Sequence, residues 1–197
     1  MGRQPLSPDT SLKKLQRAYA EYIAHSDPLM EAGNLLAFVI GTNQPFYPIY
    51  LLFIVDAGSW RALPLLASMP FFLAVPLLAR RFPMGARILL VLTSLANILL
   101  AVAMIGAQAG LAVLFIPCGA IAAILFRDRE RLVMLAMVAL AMVGWLVTNG
   151  MGPDVFSPSE YASMQRLNAM SAIGLCGVIG IAVSGSLRRI EASNANL

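Results

Sequence analysis

Residues 167–187 read LNAMSAIGLCGVIGIAVSGSL, a run without a single charged side chain. At about 1.5 Å per residue such a run covers the ~30 Å hydrocarbon layer of a bilayer, so it reads as a membrane-crossing helix. Nothing in it stops the helix at Leu187. The chain continues as RRIEASNANL, where Leu187, Ile190, Ala195 and Leu197 fall on one side of a continuing helix, and residues 188–197 read as the start of a signalling helix beyond the membrane.

Working back from that helix, five further apolar segments appear at about 33–55, 62–79, 88–106, 110–126 and 132–148, giving an expected bundle of six transmembrane helices. The composition agrees, with 59% hydrophobic and only 12% charged residues, where a soluble domain carries roughly 25% charged. The fold expected is therefore an all-α integral membrane protein. Its parts are a polar segment 1–28 with an amphipathic helix, a membrane domain 29–187, and the exit helix from 188. In 11–24 (SLKKLQRAYAEYIA) the residues Leu12, Leu15, Tyr19, Tyr22 and Ile23 recur at spacings of three and four, as for a helix lying on a membrane surface or on a neighbour. Pro5 and Pro8 are expected to keep the start of the chain irregular.

The net charge of +4 is distributed by topology and does not mark nucleic-acid binding. Of the 14 Lys and Arg, all but Arg61 and Arg166 fall in the N-terminal segment, in the turns at 80–87 and 127–131, or after the last span. The positive-inside rule then places both termini in the cytoplasm, facing anionic lipid. Opposite lie three connections, the longest being 149–165 (NGMGPDVFSPSEYASMQ), read as a solvated loop closing a hairpin or as a lid.

No catalytic motif is present, and several cofactors are excluded by what is missing. A retinal Schiff base needs a lysine within a span, whereas Lys13 and Lys14 lie outside all of them. Bis-histidine haem needs two histidines, and His25 is alone. Cys118 and Cys176 both fall in apolar spans and read as small hydrophobes, with no metal or disulfide framework. Asp128 and Glu130 stand among three arginines, which reads as a salt-bridged turn in preference to a carboxylate pair for lipid chemistry. The polar residues within spans are Asn34, Thr42, Asn43, Gln44, Thr93, Ser94, Asn97, Asn168 and Ser171, with Asp56, Trp60 and Gln108 near the outer boundary. None is ionisable at mid-membrane, which counts against a proton-coupled transporter.

The sharpest local feature is 42–50, TNQPFYPIY. Pro45 and Pro48 each remove a backbone donor, so the helix should kink or open there. Two readings follow: Asn43, Gln44, Tyr47 and Tyr50 are candidates to face a lipophilic small molecule carrying one or two polar groups, or the amides satisfy the freed carbonyls and the tyrosines belong to an aromatic belt. Cys176, Gly180 and Ser184 recur at four-residue spacing on the last span and would let helix backbones approach closely, either within one chain or across a homodimer.

Six spans with both ends inside, the PLLARRF exit at 76–82, the GAQAG turn at 106–110, the RDRER turn at 127–131 and a last span running into a charged helix resemble the hexahelical membrane anchors of bacterial class III adenylate and guanylate cyclases. Related six-span domains precede some sensor histidine kinases. The resemblance implies a receptor-like domain that dimerises and passes its state through Arg188, Arg189, Ile190 and Glu191 to a catalytic effector C-terminal to it. No cyclase or kinase catalytic residues follow Leu197, so this chain alone should make no cyclic nucleotide.

Overall fold

The computed structural model describes residues 8–55 and 57–194, with side chains from Leu12 to Arg188 except at 56, and at Glu191. Every regular element among the described residues is helical. Helix α1 (Pro8–Ile23) begins at Pro8, so the proline expected to disrupt the N-terminus occupies a first-turn position, where the missing N–H costs nothing. Its Tyr19 and Tyr22 rings pack edge-on against Phe38, and the Tyr22 hydroxyl donates to the Leu73 carbonyl. Leu12 and Leu15, expected on the same apolar stripe, stay exposed.

Helix α2 (Pro28–Asn43) starts where Asp27 Oδ1 accepts the Leu29 N–H at 3.2 Å and Pro28 takes a first-turn position. It breaks at Gln44 and Pro45, and α3 (Phe46–Ile54) carries the same apolar segment onward, so the expected kink falls at Pro45, while Pro48 sits in the first turn of α3. The chain returns through a 3-10 segment, Ser59–Ser68, and α4 (Met69–Ala79). The ten 3-10 residues rise about 2 Å each, so these 21 residues reach about 36 Å. Helix α5 (Pro83–Ile105) is the central one, with Leu90, Val91, Ile98, Val102 and Ile105 all buried.

After short 3-10 turns at Ala107–Ala109 and Leu111–Leu114 comes α6 (Phe115–Leu125). Four 3-10 and 11 α-helical residues give only about 25 Å. Five helical segments are thus long and apolar enough to cross a membrane, while Leu111–Leu125 is shorter. A turn at Asp128–Glu130 leads to α7 (Arg131–Val147), and α8 (Pro158–Asn194) closes the bundle. Leu132, Leu135, Met142 and Trp145 on α7, like Met170, Ile173 and Ile181 on α8, expose 50–79% of their surface, an apolar coat that suits lipid and not water.

Two corrections concern the connection before α8. The helix starts at Pro158, nine residues ahead of the apolar run at 167, because Ser157 and Glu160 form a reciprocal cap: Ser157 N–H donates to Glu160 Oε2 at 2.6 Å and Glu160 N–H to Ser157 Oγ at 3.4 Å. What remains of the loop, 149–157, is not merely solvated. Met151 accepts the Ala107 N–H at 2.9 Å, and Phe156 is buried edge-on to Tyr161.

The bundle has two distinct ends. At one, Asp27, Ala79, Arg87, Arg127 and Ser186 meet: His25 accepts the Asp27 N–H through Nδ1 at 2.9 Å, which leaves Nε2 to donate to the Ala79 carbonyl at 3.2 Å, and the Ser186 hydroxyl donates to the Pro28 carbonyl at 2.9 Å. The histidine thus links the segment before α2 to the end of α4. At the other end, the ends of α3 and α5, the 149–157 loop and the start of α8 converge on Gly58, Gly106 and Gly152. Asp56, near that end, lies outside the described residues.

Candidate functional site

The kink in the first apolar segment lines a cavity of about 390 Å³ enclosed by α2, α3, α5, α6 and α8. Breaking the helix at Gln44 turns the Asn43, Gln44 and Tyr47 side chains into this space, three of the four residues expected there. Tyr50, one turn further along α3, is half-buried and lies outside the cavity wall. The facing wall was not put together from sequence. It consists of Ser94 and Asn97 on α5, Cys118 on α6, and Asn168 and Ser171 on α8. Four of these five had been marked as polar residues within spans, so the signal existed, but only the fold shows that they share one space with the kink.

Two hydrogen bonds cross it. Asn97 Nδ2 donates to Gln44 Oε1 at 3.4 Å, and Asn168 Nδ2 donates to the Tyr47 hydroxyl at 3.3 Å. Asn168 also donates to the Ala109 carbonyl at 2.8 Å, so one α8 side chain ties that helix to α3 and to the turn after α5. Asn97 Oδ1 is enclosed and has no hydrogen-bond partner among the described residues, an acceptor left over in the wall. Of the other polar residues in spans, Asn34 is used structurally, donating to the Ile23 carbonyl at 3.0 Å, and Thr42 returns its hydroxyl to Phe38 at 2.8 Å.

The remaining wall is apolar, including Ile40, Leu65, Phe72, Ile98 and Leu111, and holds no carboxylate, lysine, arginine or histidine. A charged guest would lose its hydration with no countercharge in return, so the cavity suits a neutral molecule with an apolar body and a group that donates a hydrogen bond. Asn43 on α2 and Gly174 on α8 are its exposed lining residues and mark where it opens to the surroundings. Among the described residues no cluster of His, Cys, Asp and Glu has the makings of a metal site.

Cys176, Gly180 and Ser184 are exposed, and a Cβ placed at Gly177 or Gly180 would meet nothing within 4 Å. Packing within this chain therefore does not account for their spacing. Gly119, by contrast, approaches Ala141 on α7. The α8 backbone stays helical to Asn194, with Arg188 and Glu191 exposed; the side chains of Arg189 and Ile190, and residues Ala195 and Leu197, lie outside what is described. At 37 residues this helix is about 55 Å long, well beyond a bilayer core.

An all-helical bundle with a lipid-compatible coat and a mostly apolar cavity that opens beside Asn43 and Gly174 suits a membrane-associated sensor domain. The chain belongs to the MASE7 family, whose model matches residues 17–197. No curated protein and no solved structure matches the sequence.

Proposed function

We propose that the chain is the sensing and dimerising membrane domain of a bacterial class III nucleotide cyclase. In this reading six spans cross the inner membrane, both termini are cytoplasmic, and α8 carries the output. The observation that carries the reading is the cavity shared by the kinked first segment and α8. A neutral lipophilic molecule entering beside Asn43 and Gly174 meets Gln44 and Asn97 on one side and the Tyr47–Asn168 pair on the other. Because Asn168 holds α8, a guest that competes for it favours one position of that helix over another, and only such unequal binding shifts a conformational equilibrium.

The transmitter in this proposal is 188–191, and the partner is a second copy meeting along Cys176, Gly180 and Ser184. Small exposed residues at that spacing suit close approach of two helices in lipid. The cyclase assignment is supported by the arrangement of spans and turns; a sensor histidine kinase is the alternative effector.

The test is a fusion of the domain through Leu197, in helical register, to a bare class III cyclase catalytic domain in vesicles. Cyclic nucleotide output should change when neutral lipid extract of the host membrane is added, and the Gln44→Ala and Asn97→Leu variants should blunt that change at equal expression. Output indistinguishable from that of a plain dimerising anchor, with and without extract, would reduce the domain to a scaffold.

A further inference from the structure

The charged end of the bundle contains a second cavity, of about 730 Å³, between the connection from α1 to α2, the first turn of α5, and the turn that opens α7. Its floor is Arg87, 2% exposed, a residue whose sequence context suggested nothing beyond topology. Arg87 donates to Asp27 Oδ2, and through Nη1 to Glu130 Oε2 at 2.6 Å. Those two carboxylates are themselves only 11% and 10% exposed, and Glu130 Oε2 also accepts the Arg127 N–H at 3.0 Å.

The result is a separation of charge. Both acids are turned inward and satisfied by a buried guanidinium, while the cations that remain look outward. Arg127 lies 2.9 Å from Asp27 Oδ2 but keeps its side chain 44% exposed, and Arg129 is exposed with no carboxylate partner among the described residues. Three arginines against two carboxylates leave a formal charge of +1 in the cavity wall, carried at its mouth. Next to that mouth stand Met84 and Leu132, 41% and 79% exposed. Cationic forks beside an apolar ledge, at the end of membrane-crossing helices, match an anion attached to hydrocarbon.

We propose that this cavity binds the phosphate group of an anionic membrane lipid. Arg127 and Arg129 grip the phosphate oxygens, Met84 and Leu132 receive the acyl chains, and Arg87 acts from below by holding Asp27 and Glu130 away from the phosphate. The proposal rests on the placement of the helices in a membrane and is independent of the sensor reading, since it involves neither the other cavity nor a cyclase.

The experiment is native mass spectrometry of the full chain released from vesicles of phosphatidylcholine and phosphatidylglycerol. The protein should retain a phosphatidylglycerol in preference to phosphatidylcholine. Arg129→Gln, at an exposed position, should lower that retention about five-fold. Arg127→Gln combined with it should lower retention further, and Arg166→Gln, near the opposite end, should leave it unchanged. Equal retention of the two lipids, or wild-type retention in Arg129→Gln and the double variant, overturns the proposal. Displacement of the lipid by millimolar inorganic phosphate also overturns it, leaving the arginines as a site for the free anion.

Discussion

At one end of the bundle the helices are joined by charge, and at the other by the absence of side chains. Around Arg87 a single buried guanidinium links the start of α2, the start of α5 and the turn before α7 through Asp27 and Glu130. Around Gly106 and Gly152 the 149–157 loop meets the end of α5 backbone to backbone: a Cβ on Gly106 would overlap the Pro153 carbonyl, and one on Gly152 the Val102 carbonyl. Both glycines also hold positive φ, +109° and +87°. The difference teaches where adjustment is cheap. A packed backbone contact has one arrangement, whereas a cluster of ion pairs with exposed Arg127 has several of similar energy. In the proposed reading the glycine end is the fixed hinge and α8 moves at the charged end, where the Ser186 hydroxyl supplies its hydrogen bond to the start of α2 among the described residues.

The strongest way to break this comparison is Arg87→Leu. It leaves nearly buried Glu130 without its countercharge and Asp27 with only the half-exposed Arg127, and breaking such a pair from one side costs about 3–5 kcal/mol. Thermal unfolding in detergent should show a loss of that size. Adding Asp27→Asn and Glu130→Gln to the same chain should recover part of it, because the uncompensated charges then disappear.

Next comes the glycine end, where an internal control is available. Gly150 and Gly152 both have positive φ, +72° and +87°, but a Cβ on Gly150 meets nothing within 4 Å. Gly150→Ala should cost only the left-handed strain, about 1–2 kcal/mol. Gly152→Ala adds the overlap with Val102 and should cost about 2–4 kcal/mol in the same assay. Equal losses would mean that the close approach contributes nothing.

Asn168→Leu is smaller still. It strands the Ala109 carbonyl and should cost about 1–2 kcal/mol, while altering the ligand response of the cyclase fusion more than its stability. At the bottom of the scale, Gly180→Ala should stabilise the isolated chain by up to about 1 kcal/mol through helix propensity. Chemical crosslinking in vesicles should show less dimer for it, if the exposed face of α8 meets a second copy as proposed.

Much of this arrangement was legible from sequence, for reasons that differ by region. The apolar runs set the helices, since a stretch such as 88–106 has only one way to hide its backbone in lipid. The kink was legible because Pro45 and Pro48 remove donors wherever they stand. The start of α8 was also written in the chain, as Ser157 and Glu160 at capping-box spacing, but the apolar run at 167 drew attention away from it. What local sequence could not show was partnership across distance. Arg87 looked like one more cation of a positive turn, and its pairing with Glu130, 43 residues away, depends on how α5 and the turn before α7 are brought together. Asn97 and Asn168 were visible as polar residues in apolar helices, yet only the packing of α5 and α8 against the kink makes them one wall.

In the proposed function a guest in the cavity behind Gln44 and Asn97 repositions α8. The most direct test of this is a distance measurement by electron spin resonance between labels at Met84→Cys and Leu187→Cys, both exposed positions at the charged end, in a chain whose exposed Cys176 is replaced by serine. Neutral lipid extract should shift the distance distribution, and Asn97→Leu, which removes one amide from the wall without touching either label, should abolish the shift. An unchanged distribution under an extract that does alter the output of the cyclase fusion would contradict that repositioning.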